Sequence, residues 1–319
     1  MSEPSDPSAR GPSPDDPIER VLDARPRDLG GGLQVGRVLP VAARRAVGPV
    51  VFLDHIGPAD LDTPGASPTG MAVRPHPHVH LATVTYLFEG EILHRDSLGS
   101  RQLIQPGAIN WMNAGRGIAH SERSPRPDGP HGRIHGLQLW VGLPRAAEDS
   151  APSFEHQPVT ALPVMEGDGV WARVLAGAAF GVRSPVTSLA PVVYAELRVQ
   201  PGARLAVPTE VADRGLYVVD GEITLDGRPI AARHLAVLER GAAVVLRATT
   251  AARVMLLGGE PLDGPRYMWW NFVGSSQDQL VEAARRWRAR EFPAIPDDDV
   301  ELTPAPDGPR FARPHPESP

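Results

Sequence analysis

His76 and His78 stand two residues apart in "RPHPHVH", and His120 and Glu122 stand two apart in "AGRGIAHSERSP". In a β-strand, residues two apart point to the same face. Each pair therefore aims both side chains at one side of its strand. Two such pairs on neighbouring strands can converge on one ion. An isolated His-x-His is commonly exposed or bonded to backbone, so the second pair, after a Gly-rich turn, carries the argument. Three imidazoles and one carboxylate form a nitrogen/oxygen ligand set suited to Fe, Mn, Ni, Cu or Zn. Four protein ligands leave open positions on a six-coordinate ion, where a chelating substrate or dioxygen can bind. The chain has no cysteine, so thiolate sites and disulfides are excluded.

The elements that would position these residues are short strands. The 319 residues include 32 Gly and 36 Pro, which divide the chain into short segments joined by turns. "PVVFLDHIGP" is an apolar strand, and "LATVTYLFEGEILHRD" alternates in polarity with a break at Glu89-Gly90, predicting a hairpin. Further strands follow in "RQLIQPGAINWMNAGRG" and "GLQLWVGLP". "PRAAEDSAPSFEHQP" has no clear period and reads as a connection, with a linker over 146–158. From about Val159 the strand pattern resumes. Only "SSQDQLVEAARRWRAREF" is convincingly helical, with Leu280, Ala284 and Trp287 on one face, Val281 alongside, and a capping box from Ser276 and Gln279. Residues 1–17 and 293–319 are expected to be disordered tails rich in Pro and acidic residues. The net charge of −6 argues against a basic nucleic-acid-binding face. No apolar run reaches membrane-spanning length and no secretory h-region opens the chain, so the default expectation is a soluble cytoplasmic protein without a membrane partner.

The chain repeats itself. "TYLFEGEILHRDS" from Thr85 matches "LYVVDGEITLDGR" from Leu216: Tyr86, Gly90 and Glu91 fall on Tyr217, Gly221 and Glu222, an offset of 131 that also brings Pro77 onto Pro208. The expected fold is all-β, two similar barrels in tandem, over 18–145 and 159–292, the second including the helix. In this register His76 falls on Val207 and His78 on Thr209, and no histidine follows Gly241 at the place of His120. The second copy keeps the scaffold without the ligands. Histidines needed only for folding should recur in both copies, so those of the first copy are read as chemical.

"RPHPH…TVTYLFEGEILHRDSLG…PGAINWMNAGRGIAHSERSP…GLQLWVGLP", together with "PRYMWWNFVGSSQDQLVEAARRWRAREF", resembles the pirin family of bicupin metalloproteins. The resemblance covers essentially the whole ordered chain. It implies two cupin (jelly-roll) barrels and a divalent transition metal, usually iron, held at the positions His76, His78, His120 and Glu122. The first-strand glutamate of the general cupin pattern falls here on Thr83. Position 80, commonly Gly in the family, is His80 in this chain. By alternation it shares the face of His76 and His78 but lies roughly 7 Å beyond His78, too far to join one ion without strain. It is expected to line the pocket or hydrogen-bond around the ligands. Trp111 and Met112 are expected to line an apolar pocket. Asp54-His55 and His94-Arg95-Asp96 are read as structural hydrogen-bonding motifs, Arg116 as a turn residue, and "MWWNF" as the piece that docks the C-terminal segment on the barrels.

The resemblance further implies a flavonol dioxygenase acting on quercetin or a similar flat aromatic with O2, opening the central ring by 2,3-dioxygenolysis and releasing carbon monoxide. Glu122 would hold the metal or accept the substrate's 3-hydroxyl proton. The alternative it carries is an iron-binding, redox-responsive regulator of a transcription factor or metabolic enzyme, with a protein partner and no turnover.

Overall fold

The structure, a computed structural model, describes residues 16–28, 34–63, 67–126 and 128–311. Most of the expected tail 1–17, and residues 312–319 of the expected tail 293–319, lie outside the described residues.

The described chain is all-β apart from the helix Gln277–Arg288 and two short 3-10 turns. Strands assemble into two units of the same plan, each a seven-stranded and a four-stranded antiparallel sheet. In the first unit the large sheet runs in the order Ser153–Gln157, Ile109–Asn113, Leu81–Glu89, Arg133–Gly142, Val50–Asp60, Gln34–Leu39, Arg25–Asp28. Its small sheet runs Ala72–His78, Ile118–Arg123, Ile92–Asp96, Arg101–Ile104. The second unit repeats both orders strand for strand, with Asp213–Asp220 in the place of Leu81–Glu89.

Alternation along Leu81–Glu89 explains how one strand serves two cores. Ala82, Val84 and Tyr86 join Trp111 and Leu139, and from the second barrel Leu175, Tyr194, Tyr217 and Met255, in the core between the barrels. Thr83 and Thr85 take the opposite face, toward the interior of the first barrel. Along Asp213–Asp220 the alternation repeats: Tyr217 and Val219 face the inter-barrel core, Leu216 and Val218 the second barrel's own core.

Several expectations are corrected. The break at Gly90 is not a hairpin turn. Leu81–Glu89 pairs within the large sheet and Ile92–Asp96 within the small one, so the chain changes sheets there. Gly90 allows it with φ +85°, where a Cβ would lie 2.3 Å from the Arg133 carbonyl oxygen. The linker 146–158 contains the strand Ser153–Gln157, which pairs with Ile109–Asn113 and closes the first large sheet. Residues 18–23 leave the first barrel altogether: Ile18–Asp23 pairs with His234–Leu238 of the second. Residues 293–311 are not a free tail. Ile295 is buried beside Trp287 and Phe292, the Thr303 amide donates to the Pro75 carbonyl at 2.8 Å, and Asp298 accepts two bonds from Arg123. The strand partners, and Pro75 and Arg123, are far away in sequence, so local pattern carried no sign of them.

The helix is capped as expected. Ser276 accepts from the Gln279 amide at 3.3 Å, and the Gln279 side chain accepts from the Ser276 amide at 2.9 Å. Leu280, Ala283, Ala284 and Trp287 are buried, whereas Val281 is exposed. Ahead of the helix, Tyr267–Trp269 and Phe272–Gly274 form a small hairpin that lies against the His76 strand through a bridge between Val79 and Phe272.

Candidate metal centre

Ala72–His78 and Ile118–Arg123 are antiparallel neighbours, with His120 directly opposite His76. Directly opposed residues share a face, so the two imidazoles meet. His78, two residues along, reaches the same point. The three offer ring nitrogens that all lie within 4.8 Å of one another, and all three side chains are buried.

Hydrogen bonding determines which nitrogens are free. The Nδ1–H of His76 donates to the Arg74 carbonyl at 2.8 Å, and that of His78 to the Asn271 carbonyl at 2.9 Å. A carbonyl can only accept, so both protons sit on Nδ1 and both Nε2 atoms keep a lone pair. The Nε2 atoms of His78 and His120 are buried without a hydrogen-bond partner. Buried polar atoms are rarely left unpaired, and two convergent lone pairs fit a cation. Burial pushes all three imidazoles below the ordinary histidine range, His78 and His120 well below, and repulsion from a neighbouring imidazole adds to it in each case. For His76 the Arg74 bond and the charge of Glu122 act the other way without reversing the shift. The trio is neutral, the form that ligates a metal.

Glu122 is buried beside this trio but outside the group of mutually close ligand atoms. The register shifts after His120, so that Glu122 stands opposite Val73. The bulge re-aims the carboxylate. Oε1 accepts from the Thr85 hydroxyl at 3.2 Å and Oε2 from the Gln138 amide at 3.3 Å. Both donors are neutral, so among the described residues the carboxylate has no compensating cation and is available to a metal or a proton.

The other expected pocket residues separate. Met112 stands opposite Thr83, whose other neighbour is Trp140. The Trp140 ring meets His78 edge-on at 5.1 Å, which places Met112 on the same interior face. Trp111 points the opposite way. It stands opposite Val84 and packs in the core between the barrels. Trp111 therefore faces away from this centre, while its strand neighbour Met112 takes the face of Thr83.

His80 does not share the face of His76 and His78. The strand ends at His78, and His80 has φ +58°, which breaks the alternation. Its Nε2 lies 3.9 Å from the Asp149 carboxylate, and its Nδ1 packs against Gly274. The left-handed conformation costs a non-glycine residue roughly 1–2 kcal/mol. It turns the ring away from the ligand trio and toward the segment that precedes the helix.

Some residues at the centre carried no sequence signal for it. Asn271 contributes only a main-chain carbonyl, brought in by the C-terminal hairpin. Gln138 and Trp140 come from a later strand, Arg133–Gly142, and Thr85 from the strand that follows the first two histidines, where nothing in its type marks it. His94 and Asp96 come closer still to the centre. Asp96 is fully buried and accepts from His94 at 3.0 Å, while His94 stacks on Phe154 at 4.4 Å and lies 3.5 Å from His120. Burial acts to raise the Asp96 carboxyl, but bonds from His94 and Ser100 outweigh it and hold it below its ordinary range.

Comparison with known proteins places this geometry. The family model described as Pirin matches residues 32–141, and that of the Pirin C-terminal cupin domain matches residues 194–293. The chain belongs to the pirin family. A pirin-like protein of Caulobacter vibrioides is 47% identical over 292 residues, covering 91% of this chain and all of the relative. A Pseudomonas aeruginosa relative named as a candidate quercetin 2,3-dioxygenase is 41% identical, covering 85% of this chain and 83% of its own. Among solved structures, a quercetin 2,3-dioxygenase from Acinetobacter baumannii superposes with a TM-score of 0.84 at 35% identity, covering 92% of this chain and 97% of that one. In this pirin the three-histidine centre lies in the N-terminal barrel. Among the described residues no helix is long and apolar enough to cross a membrane.

Proposed function

We propose that this pirin is an iron-dependent oxidoreductase that opens a flavonol, or a similar flat aromatic carrying an acidic hydroxyl beside a carbonyl, by 2,3-dioxygenolysis. The observation that carries the reading is the pairing of three neutral imidazoles, their Nε2 lone pairs converging, with a buried carboxylate whose donors among the described residues, Thr85 and Gln138, are both neutral. The names of the two dioxygenase-like relatives point the same way.

His76, His78 and His120 would hold the metal. When bound, the ion lowers the pKa of a chelating hydroxyl and supplies the redox chemistry toward dioxygen. The remaining work falls to the chain. Glu122 would accept the substrate's 3-hydroxyl proton on a carboxylate oxygen, or would serve as a fourth ligand in place of its bonds to Thr85 and Gln138. Those two donors keep the carboxylate within reach in either role. Met112 and Trp140 present apolar surface to a planar ring and exclude water beside His78. Iron is the metal that the pirin resemblance implies; the ligand set itself suits Fe, Mn, Ni, Cu or Zn.

The test is aerobic quercetin consumption, with carbon monoxide release, by iron-loaded protein. Turnover in the wild type that is lost in both His76→Ala and Glu122→Ala supports the enzyme. Stoichiometric iron with no turnover on any flavonol overturns it in favour of an iron-binding regulatory protein.

A further inference from the structure

We propose that His94 and Asp96 are positioning residues for the metal centre: together they set the tautomer of His120 and hold its Nε2 lone pair toward the ion. The argument is a sequence of forced choices. One oxygen of Asp96 is used up at the turn after its strand, where Oδ1 accepts the amides of Leu98 at 2.9 Å and Ser100 at 3.0 Å. The other, Oδ2, lies 3.0 Å from Nε2 of His94. A carboxylate oxygen only accepts, so His94 carries its proton on Nε2. Nδ1 of a neutral His94 is then a lone pair, and it faces Nδ1 of His120 at 3.5 Å. Two lone pairs would repel there, so the His120 proton sits on Nδ1. Its Nε2, buried and unpartnered, is left as the ligand atom.

The ring of His94 has little freedom to depart from this arrangement. It is buried, and Phe154 stacks on it with planes 14° apart. Phe154 comes from the strand Ser153–Gln157 that completes the large sheet. The three histidines thus differ in how they are oriented. Main-chain carbonyls of Arg74 and Asn271 serve His76 and His78, whereas His120 depends on side chains. At 3.5 Å the last contact is long for a hydrogen bond, so its role is to orient rather than to add binding energy. Partners of this kind, next to a metal-ligating histidine, typically change metal affinity by about 10–100-fold.

The inference rests on reading His76, His78 and His120 as metal ligands, but not on the dioxygenase activity. Two measurements decide it. In metal-free protein labelled with 15N-histidine, imidazole spectra should show His120 protonated on Nδ1 and His94 on Nε2. A His120 protonated on Nε2 overturns the proposal, whatever the protein binds. Nickel(II) titration by calorimetry gives the second readout. His94→Phe, which keeps the ring stacked on Phe154, should weaken binding about 10–100-fold at unchanged stoichiometry. His94→Asn places an accepting oxygen near the Nδ1 position and should restore most of the loss. Equal nickel affinity in the wild type and His94→Phe overturns the proposal. Wild-type protein that binds no nickel removes the metal-centre reading, while the spectra still decide the tautomers. If His94→Phe does not fold, the wild-type spectra and His94→Asn carry the test.

Discussion

The two barrels share one strand plan and differ in what fills the mouth between their sheets. In the first, Thr83 and Thr85 face inward beside three neutral imidazoles and Glu122. In the second, the offset of 131 replaces Thr83 with Arg214 and Thr85 with Leu216. Arg214 is buried, and its guanidinium donates to the carbonyls of Pro208 at 2.8 Å and Ala242 at 2.6 Å. Pro208 is the counterpart of Pro77, between the two ligand histidines. At the counterparts of His76 and His120 stand Val207 and Val244, both buried in an apolar core. The first barrel presents lone pairs to a cation from outside; the second supplies its own cation on a side chain. A common fold therefore leaves the choice between binding and mere stability to a few inward positions.

The barrels also reach into one another symmetrically. Tyr86 donates to Glu196 of the second barrel, and Tyr217 pairs with His55 of the first. Glu196 and His55 hold equivalent positions: His55 stands opposite Leu137, itself opposite Tyr86, and Glu196 stands opposite Met255, itself opposite Tyr217. The exchange ends differently on the two sides. Glu196 is paired with Arg198 and Arg253, whereas His55 passes to a second imidazole, His135, at 2.8 Å.

The largest effect should come from the ligands. His76→Ala or His120→Ala should reduce bound metal to background by elemental analysis, while Val207→Ala and Val244→Ala leave it unchanged. Metal retained in both histidine variants would remove the distinction between the barrels. Acid should separate them next. Burial lowers His55 to about 3 and His135 to about 4, and also lowers His76, His78 and His120, all in the first barrel. Folded values below unfolded ones mean that the unfolded chain binds more protons. Stability is complete above about pH 6.5 and is lost as pH falls below it, by up to about 1.4 kcal/mol per pH unit for each fully buried imidazole. Hydrogen exchange on metal-free protein at pH 5 should therefore show the first barrel opening before the second.

Arg214→Ala should cost about 2 kcal/mol in urea unfolding by taking the donor from two half-buried carbonyls, with no change in metal content. The reciprocal Thr83→Arg, if it folds by circular dichroism, should displace the metal; full metal occupancy would show that the two mouths are not equivalent. The smallest effect is expected from the tyrosines. Tyr86→Phe, which loses a bond to a carboxylate, should cost about 2 kcal/mol, and Tyr217→Phe about 1 kcal/mol. Equal losses in thermal or urea unfolding would mean that the charge on Glu196 adds nothing.

Much of the centre was legible because strand alternation is a local property. His76 with His78, and His120 with Glu122, could be paired from spacing, and the repeat showed which copy carries them. The same rule misled wherever a strand ended or bent unseen. His80 continues the alternation in sequence, yet a left-handed residue turns it away. Trp111 and Met112 adjoin in sequence and face opposite cores; which faces which depends on register. Glu122 has the right spacing, but a bulge after His120 hands its carboxylate to Thr85 and Gln138. Ser153–Gln157 is too polar to announce itself as a strand, and it became one because Ile109–Asn113 had an unpaired edge.

By itself, the sequence determined the strand-rich architecture, its duplication and the residue types able to hold a metal, since these follow from periodicity, repetition and chemistry written along the chain. Only the tertiary structure decided which nitrogens are free, which aromatic faces the centre, and that the strand Ile18–Asp23 completes the second barrel. Those outcomes depend on hydrogen-bond partners and sheet edges supplied by segments up to about two hundred residues away, as when Asn271 reaches His78; no local pattern encodes such distant partners.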